Sequence, residues 1–91
     1  MNKLEECRNK IDEIDTEIIK LYEARMAIVK EVIEYKIENN IPVLDSNRES
    51  SMLDKNLNKI KNEDFKSYYE YVLKGFLTSS KEMQKDILNK K

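Results

Sequence analysis

Residues 3–39, within the longest stretch of this chain without Gly or Pro, read KLEECRNKIDEIDTEIIKLYEARMAIVKEVIEYKIEN. Its apolar residues return in alternating steps of three and four, the spacing of one face of an α-helix. They are Leu4, Cys7, Ile11, Ile14, Ile18, Leu21, Ile28, Val32 and Tyr35. The pattern stops before Pro42, whose ring disfavours helical geometry in the preceding residue. The stretch therefore predicts one helix over about residues 3–39.

Two shorter helices are predicted after this one. Ser46 followed by Glu49 fits a capping box, and an apolar face follows it, so a second helix is expected over about residues 46–61. Asn62-Glu63-Asp64 is typical of a break and a new N-terminal cap, which predicts a third helix over about residues 64–89. One Gly and one Pro are too few for the turns of a β-rich fold. The expected fold class is all-α with three helices per chain.

The first predicted helix is too long for a compact monomer. A helix of ~36 residues is ~54 Å long, whereas a compact domain of this size has a radius of gyration of roughly 12 Å. Its apolar stripe has to be covered by other apolar residues, so the expected architecture is a homodimer in which the long helices of two chains pack together.

A single domain over residues 1–91 is expected. The Met1 start and the Asn89-Lys90-Lys91 end favour a complete chain over a piece of a longer enzyme.

Composition excludes several classes of function. The chain has no His, one Cys, and 17 basic against 18 acidic residues. Without His there is no imidazole base, and the lone Cys7 makes neither an intrachain disulfide nor a zinc site. One Gly excludes Gly-rich phosphate loops, a balanced charge argues against nucleic acid, and no apolar run approaches the ~18 residues of a membrane span. We expect no metal, cofactor, nucleic-acid or membrane partner, and a cytoplasmic location.

Polar residues interrupt the apolar stripes of the first and third helices. Arg25 occupies a stripe position, and Lys36, eleven residues later, returns to within ~20° of the same face about 16 Å along the axis. Two interpretations of Arg25 are open. Either its aliphatic side-chain stem packs on the stripe while its guanidinium group stays in solvent, or Arg25 and Lys36 together form a site for one anion. Ser80 falls in the stripe of the third helix and shares a face with Gln84. A hydrogen bond to its own helix is the ordinary explanation for such a serine.

Further candidates lie at the start of the first and second helices. Arg8 is 17 residues before Arg25, ~25 Å along the helix, so the two share a small ligand only across an antiparallel dimer. Asp45, Arg48 and Glu49 open the second helix. Acidic residues there ordinarily satisfy free N–H groups and the helix dipole. A functional role requires Glu49 to turn inward.

Five short segments follow one another at defined spacing. They are Arg8 with Ile11-Asp12-Glu13-Ile14-Asp15, Leu21-Tyr22-Glu23-Ala24-Arg25, Lys36, Pro42-Val43-Leu44-Asp45-Ser46-Asn47-Arg48-Glu49, and Ser80-Lys81-Glu82-Met83-Gln84. Each segment alone is common, but the five together resemble the all-helical, AroQ-type chorismate mutases over nearly the whole chain. The resemblance implies an intertwined homodimer of three-helix chains. It also implies an isomerase that rearranges chorismate to prephenate, on the branch towards phenylalanine and tyrosine, with no cofactor or metal.

The resemblance further implies a role for each matching residue. Arg25 and the partner's Arg8 would hold the two carboxylates of the substrate. Lys36 and Gln84 would donate hydrogen bonds to the ether oxygen, where negative charge grows as the C–O bond breaks. The remaining contacts would come from Glu49 as acceptor for the ring hydroxyl, Asp45 nearby, Arg48 at the same end, and Ser80 at a carboxylate.

Two other functions stay open. An isochorismate pyruvate-lyase of the same fold would use similar cations, although Glu49 directly after Arg48 favours the mutase. A non-enzymatic helical dimerisation module would account for the stripes. That alternative leaves Arg25 and Ser80 without a reason to occupy apolar positions.

Overall fold

Three helices make up the computed structural model, which describes residues 2–43 and 45–90. They are α1 (Lys3–Glu38), α2 (Ser46–Leu57) and α3 (Glu63–Asn89). Met1 and Lys91, the ends of the expected complete chain, and Leu44 of the Pro42 segment lie outside the described residues. Within the described ranges there is no strand, and no helix is both long and apolar enough to cross a membrane. The predicted all-α class and the very long first helix are confirmed.

A capped turn ends α1. The Ile41 N–H bonds to the Lys36 carbonyl at 2.8 Å and the Asn40 N–H to the Ile37 carbonyl at 3.3 Å, which is the Schellman pattern. Asn40 takes the left-handed conformation that this pattern needs, with φ 56°, and Asn tolerates it better than most residues. The turn brings the following loop back over α1, where the Val43 carbonyl lies 3.4 Å from Lys36 Nζ.

The start of α2 is where the sequence predicts it, but its cap is a different residue. Asp45, not Ser46, is the N-cap, and its Oδ1 accepts a hydrogen bond from the Arg48 N–H at 3.0 Å. The Glu49 carboxylate lies 3.2 Å from Lys81 Nζ on α3. The predicted capping box between Ser46 and Glu49 is therefore wrong.

The second helix is also shorter than predicted, since it ends at Leu57 and not near residue 61. The N–H groups of Lys59 and Ile60 bond to carbonyls three residues before them, at 3.1 and 3.2 Å. These bonds tighten the chain into a turn that does not continue the helix. The predicted cap of α3 is confirmed, because the Asn62 side chain accepts a hydrogen bond from the backbone two residues later at 2.9 Å.

The core of a single chain is small. α3 packs against α2 and against the second half of α1, and Ile33, Met52 and Leu73 are the buried apolar side chains among the described residues. The large aliphatic residues of α1 from Leu4 to Leu21 are each at least 50% exposed. The chain is 56 Å long with a radius of gyration of 16.7 Å, against roughly 12 Å for a compact domain. One chain thus leaves the first half of its longest helix uncovered.

Candidate active site

A cavity of about 470 Å³ lies where the three helices meet. This volume is in the range of pockets that hold small molecules. Seven of the eight site residues predicted from the sequence line it, namely Arg25, Lys36, Asp45, Arg48, Glu49, Ser80 and Gln84. The structure thus brings together side chains that are up to about 60 residues apart in the chain.

Arg25 is held inside the cavity by two neighbours. Its Nη1 donates a hydrogen bond to Ser80 Oγ at 3.0 Å. Its Cζ lies 5.2 Å from the centre of the Phe76 ring, which is a cation–π distance. Ser80 is only 8% exposed. The guanidinium of Arg25 is thus held at the cavity wall by two side chains of α3.

Contacts between Tyr22 of α1 and two residues of α3, Ser79 and Phe76, lie next to Arg25. The hydroxyl groups of Tyr22 and Ser79 are hydrogen-bonded and join α1 to α3. The Tyr22 ring also stacks on Phe76, with ring centres 6.3 Å apart, so Phe76 contacts both Tyr22 and Arg25. Sequence reasoning did not single out Tyr22 and Ser79. Tyr22 lies three residues before Arg25, so helical spacing was the signal that could have found it. Helical spacing from Ser80 does not indicate Ser79, because adjacent residues of a helix do not share a face.

Lys36 and Gln84 add one charged and one neutral group to the lining. Lys36 is half-buried, and within residues 2–43 and 45–90 it donates one hydrogen bond, to the Val43 carbonyl at 3.4 Å, out of its three N–H donors. Gln84 Oε1 is buried and has no hydrogen-bond partner within the described part of the chain. Turning the amide by 180° puts its NH₂ group in the same place. Gln84 is therefore able to offer a donor or an acceptor to a bound molecule.

The start of α2 supplies the acidic part of the lining. Asp45 makes the contact expected of an ordinary helix cap, since its Oδ1 accepts from the backbone of Arg48. Glu49 turns inward, as its functional interpretation requires, and pairs with Lys81. Sequence reasoning quoted Lys81 within a motif but assigned it no role. Its position beside Ser80 and three residues before Gln84 was the available signal.

Arg8 is the predicted site residue that does not line the cavity. It is exposed on the first half of α1, 17 residues before Arg25, which is about 25 Å along the helix. A side chain does not span that distance. Within one chain Arg8 and Arg25 therefore do not contact the same small ligand.

The charges of the lining favour an anion. Four cations and two carboxylates give a formal charge of +2 (Arg25, Lys36, Arg48 and Lys81 against Asp45 and Glu49). Guanidinium groups bind carboxylates through paired hydrogen bonds, and an ammonium group supplies a point charge. The cavity is thus suited to a small ligand with two negative charges and some polar neutral groups.

Comparison with known proteins gives a family match and close relatives. Residues 7–85 match the family model described as chorismate mutase type II. A chorismate mutase of Methanocaldococcus jannaschii is 44% identical over 55 residues, which are 60% of this chain and 56% of that relative. The bifunctional chorismate mutase/prephenate dehydratases from Buchnera aphidicola of Schizaphis graminum and of Acyrthosiphon pisum are each 36% identical over 98% of this chain. The chain spans only 23% of the length of each Buchnera relative.

Proposed function

Because the chain belongs to the chorismate mutase type II family, we propose that its cavity rearranges chorismate to prephenate. This proposal rests on the residues that line the cavity and on their charge. Seven predicted site residues surround one cavity whose formal charge of +2 complements the two carboxylates of chorismate. A cytoplasmic location and a single domain over residues 1–91 are part of the same proposal.

Arg25 is the proposed anchor for one substrate carboxylate. Its guanidinium is already oriented by Ser80 and Phe76, so little side-chain freedom is lost when the substrate binds. Ser80 would touch the same carboxylate. Fixing the carboxylates selects the folded conformer of chorismate in which the ends of the forming C–C bond are close. The reaction is intramolecular, so this selection removes much of the barrier without a nucleophile.

Lys36 and Gln84 are the proposed stabilisers of the transition state. As the C–O bond breaks, negative charge grows on the ether oxygen, and a fixed ammonium and an amide N–H₂ aimed there bind that state better than the ground state. Gln84 Oε1 is buried without a hydrogen-bond partner among the described residues, and an amide turned by 180° would place its NH₂ group there, which supports this role. From the start of α2, Glu49 would accept a hydrogen bond from the ring hydroxyl, with Asp45 and Arg48 beside it.

The site is proposed to be completed by a second copy of the chain. The aliphatic residues from Leu4 to Leu21 are at least half exposed in one chain, and burying them against a partner is favourable at roughly 25 cal/mol per Å². Arg8 lies in this same uncovered half. An antiparallel dimer of long helices would therefore bring Arg8 of the partner subunit towards the cavity that holds Arg25.

The proposal is tested by following chorismate disappearance together with prephenate formation. Purified protein should convert chorismate, and chorismate should raise its melting temperature because a ligand of the native state stabilises that state. Isochorismate is assayed in parallel. Pyruvate release from isochorismate without prephenate formation from chorismate would favour the lyase. No conversion and no change in melting temperature with either compound would favour a dimerisation module.

The pH dependence of turnover is expected to follow from the chemistry of Gln84. An amide donates a hydrogen bond at any working pH, so kcat should stay nearly level across roughly pH 5–8. In Gln84→Glu the carboxylate is ionised at neutral pH, where it repels the growing charge. We expect that variant to lose about 10²-fold in kcat at neutral pH and to recover as the pH falls.

Measuring kcat against pH for both proteins decides the point. Wild-type turnover that disappears as the pH rises through neutrality would rule out this role for Gln84. A Gln84→Glu variant whose profile parallels the wild type would do the same. Circular dichroism at each pH shows that both proteins stay helical over the range.

A further inference from the structure

Lys81 lines the cavity, and neither the sequence motifs nor the roles above assign it a function. We propose that Lys81 is a positioning residue that holds the Glu49 carboxylate as an acceptor for the ring hydroxyl and balances its charge against an anionic substrate. The inference rests on the proposed function and deepens it, because it concerns how the same cavity tolerates a carboxylate beside a dianion.

The ion pair between Lys81 and Glu49 differs from the other ion pairs of the chain. Lys81 Nζ lies 3.2 Å from Glu49 Oε2 and joins α3 to α2. The four other pairs in the described ranges each join residues three or four apart on one helix (Lys20–Glu17, Lys66–Glu63, Lys74–Glu70 and Lys85–Glu82). The pair with Glu49 therefore depends on the packing of two helices at the cavity, and it orients side chains there.

Lys81 compensates the negative charge of Glu49 in the cavity. A carboxylate that faces a bound dianion is repelled by it, and the repulsion is stronger in a partly desolvated cavity than in water. Glu49 is 26% exposed, and Lys81 is the one charged partner of its carboxylate in the described part of the chain. Without Lys81 the formal charge of the lining falls from +2 to +1. Lys81 thus offsets the negative charge of Glu49 and allows its side chain to stay inward when the substrate enters.

The geometry also leaves Glu49 able to act on the substrate. Lys81 contacts Oε2, and an ionised carboxylate accepts hydrogen bonds at both oxygens, so Oε1 is available to the ring hydroxyl. The Lys81 side chain is 43% exposed, which places its charge at the rim of the cavity and not against the reacting atoms. A residue so placed acts through Glu49 on substrate binding more than on the chemical step.

The test compares four variants with the wild-type chain: Lys81→Met, Lys81→Arg, Glu49→Gln and the double variant Lys81→Met with Glu49→Gln. Lys85→Met is the matched control, because Lys85 lies one turn further along α3 and pairs with Glu82 in solvent, 68% exposed. Melting temperatures check that each variant is folded. The kinetics of chorismate conversion are then measured as separate kcat and KM values.

Lys81→Met is expected to raise KM for chorismate about fivefold, the upper range for a partly exposed ion pair, with a smaller change in kcat. Lys81→Arg, which keeps the positive charge, should have a KM within about twofold of wild type. Lys85→Met should leave the wild-type KM unchanged. Because Lys81 acts through Glu49, adding Lys81→Met to Glu49→Gln should raise KM by less than about twofold more.

Each other outcome overturns the inference in a recognisable way. Equal KM values for Lys81→Met and Lys85→Met would show that Lys81 has no role in binding. Independent effects of Lys81→Met and Glu49→Gln in the double variant would show that Lys81 does not act through Glu49. If the wild-type chain does not convert chorismate, the proposed function fails and this inference fails with it. Conversion by the wild type with an unchanged Lys81→Met overturns this inference alone.

Discussion

Replacing Lys36 with Ala is expected to lower kcat for chorismate at least about 10²-fold, which corresponds to roughly 3 kcal/mol or more of transition-state stabilisation. Lys36 lines the cavity on the same helix as Arg25, and among the described residues it uses one of its three N–H donors. Its charge would act on the ether oxygen only as the C–O bond breaks, so the loss should fall on kcat more than on KM.

Lys30→Ala is the matched control for this variant. Lys30 is an exposed lysine on the same helix and does not line the cavity, so the two changes remove the same charge from different surroundings. Lys36→Met tests whether the effect comes from the charge and not from the packed stem. Steady-state kinetics and melting temperatures are measured for all three. Near-normal turnover in folded Lys36→Ala would remove Lys36 from the mechanism.

Mixing inactive Arg8→Ala and Arg25→Ala chains is expected to restore activity. Each variant alone should lose nearly all turnover, since every site in the proposed homodimer would lack one of the two guanidinium groups proposed to hold the substrate carboxylates. A heterodimer contains one site with both arginines, donated by different chains. Random pairing at equal amounts makes half of the dimers mixed, so about one quarter of the wild-type activity should return.

The chains are unfolded and refolded together before the assay so that they exchange partners. Lys10→Ala serves as the control for Arg8→Ala, because two residues along a helix correspond to ~200° of rotation and place Lys10 on the opposite side. Light scattering at micromolar concentration should give the mass of a dimer for every variant. A stable monomer would contradict the dimer, and a dimer whose mixture stays inactive would contradict the shared site.

The sequence predicted features that depend on neighbouring residues. Helical spacing placed Arg25 and Lys36 on one face, and the structure puts both in the same cavity. Ser80 and Gln84 likewise share a face of α3 and line that cavity. These predictions succeed because a continuous helix fixes the direction of each side chain relative to those three and four residues away.

Predictions at helix boundaries were less successful. The sequence pattern favoured Ser46 as the cap of α2, but Asp45 accepts the hydrogen bond from the helix backbone. Both residues are good caps, so a shift of one position changes little in the local energy. The helix ends at Leu57 because i to i+3 hydrogen bonds replace the longer ones there, and the apolar pattern alone does not distinguish the two.

By itself the sequence determined three helices and a first helix too long for one compact chain. It also determined the positions of the polar residues that interrupt the apolar stripes of the first and third helices. These follow from periodicity and from the scarcity of Gly and Pro, which are properties of the sequence itself. Only the tertiary structure decided that Glu49 meets Lys81 and that Lys85 stays in solvent with Glu82. Lys81 and Lys85 lie about one turn apart on α3, and the packing of α2 against α3 makes their surroundings different.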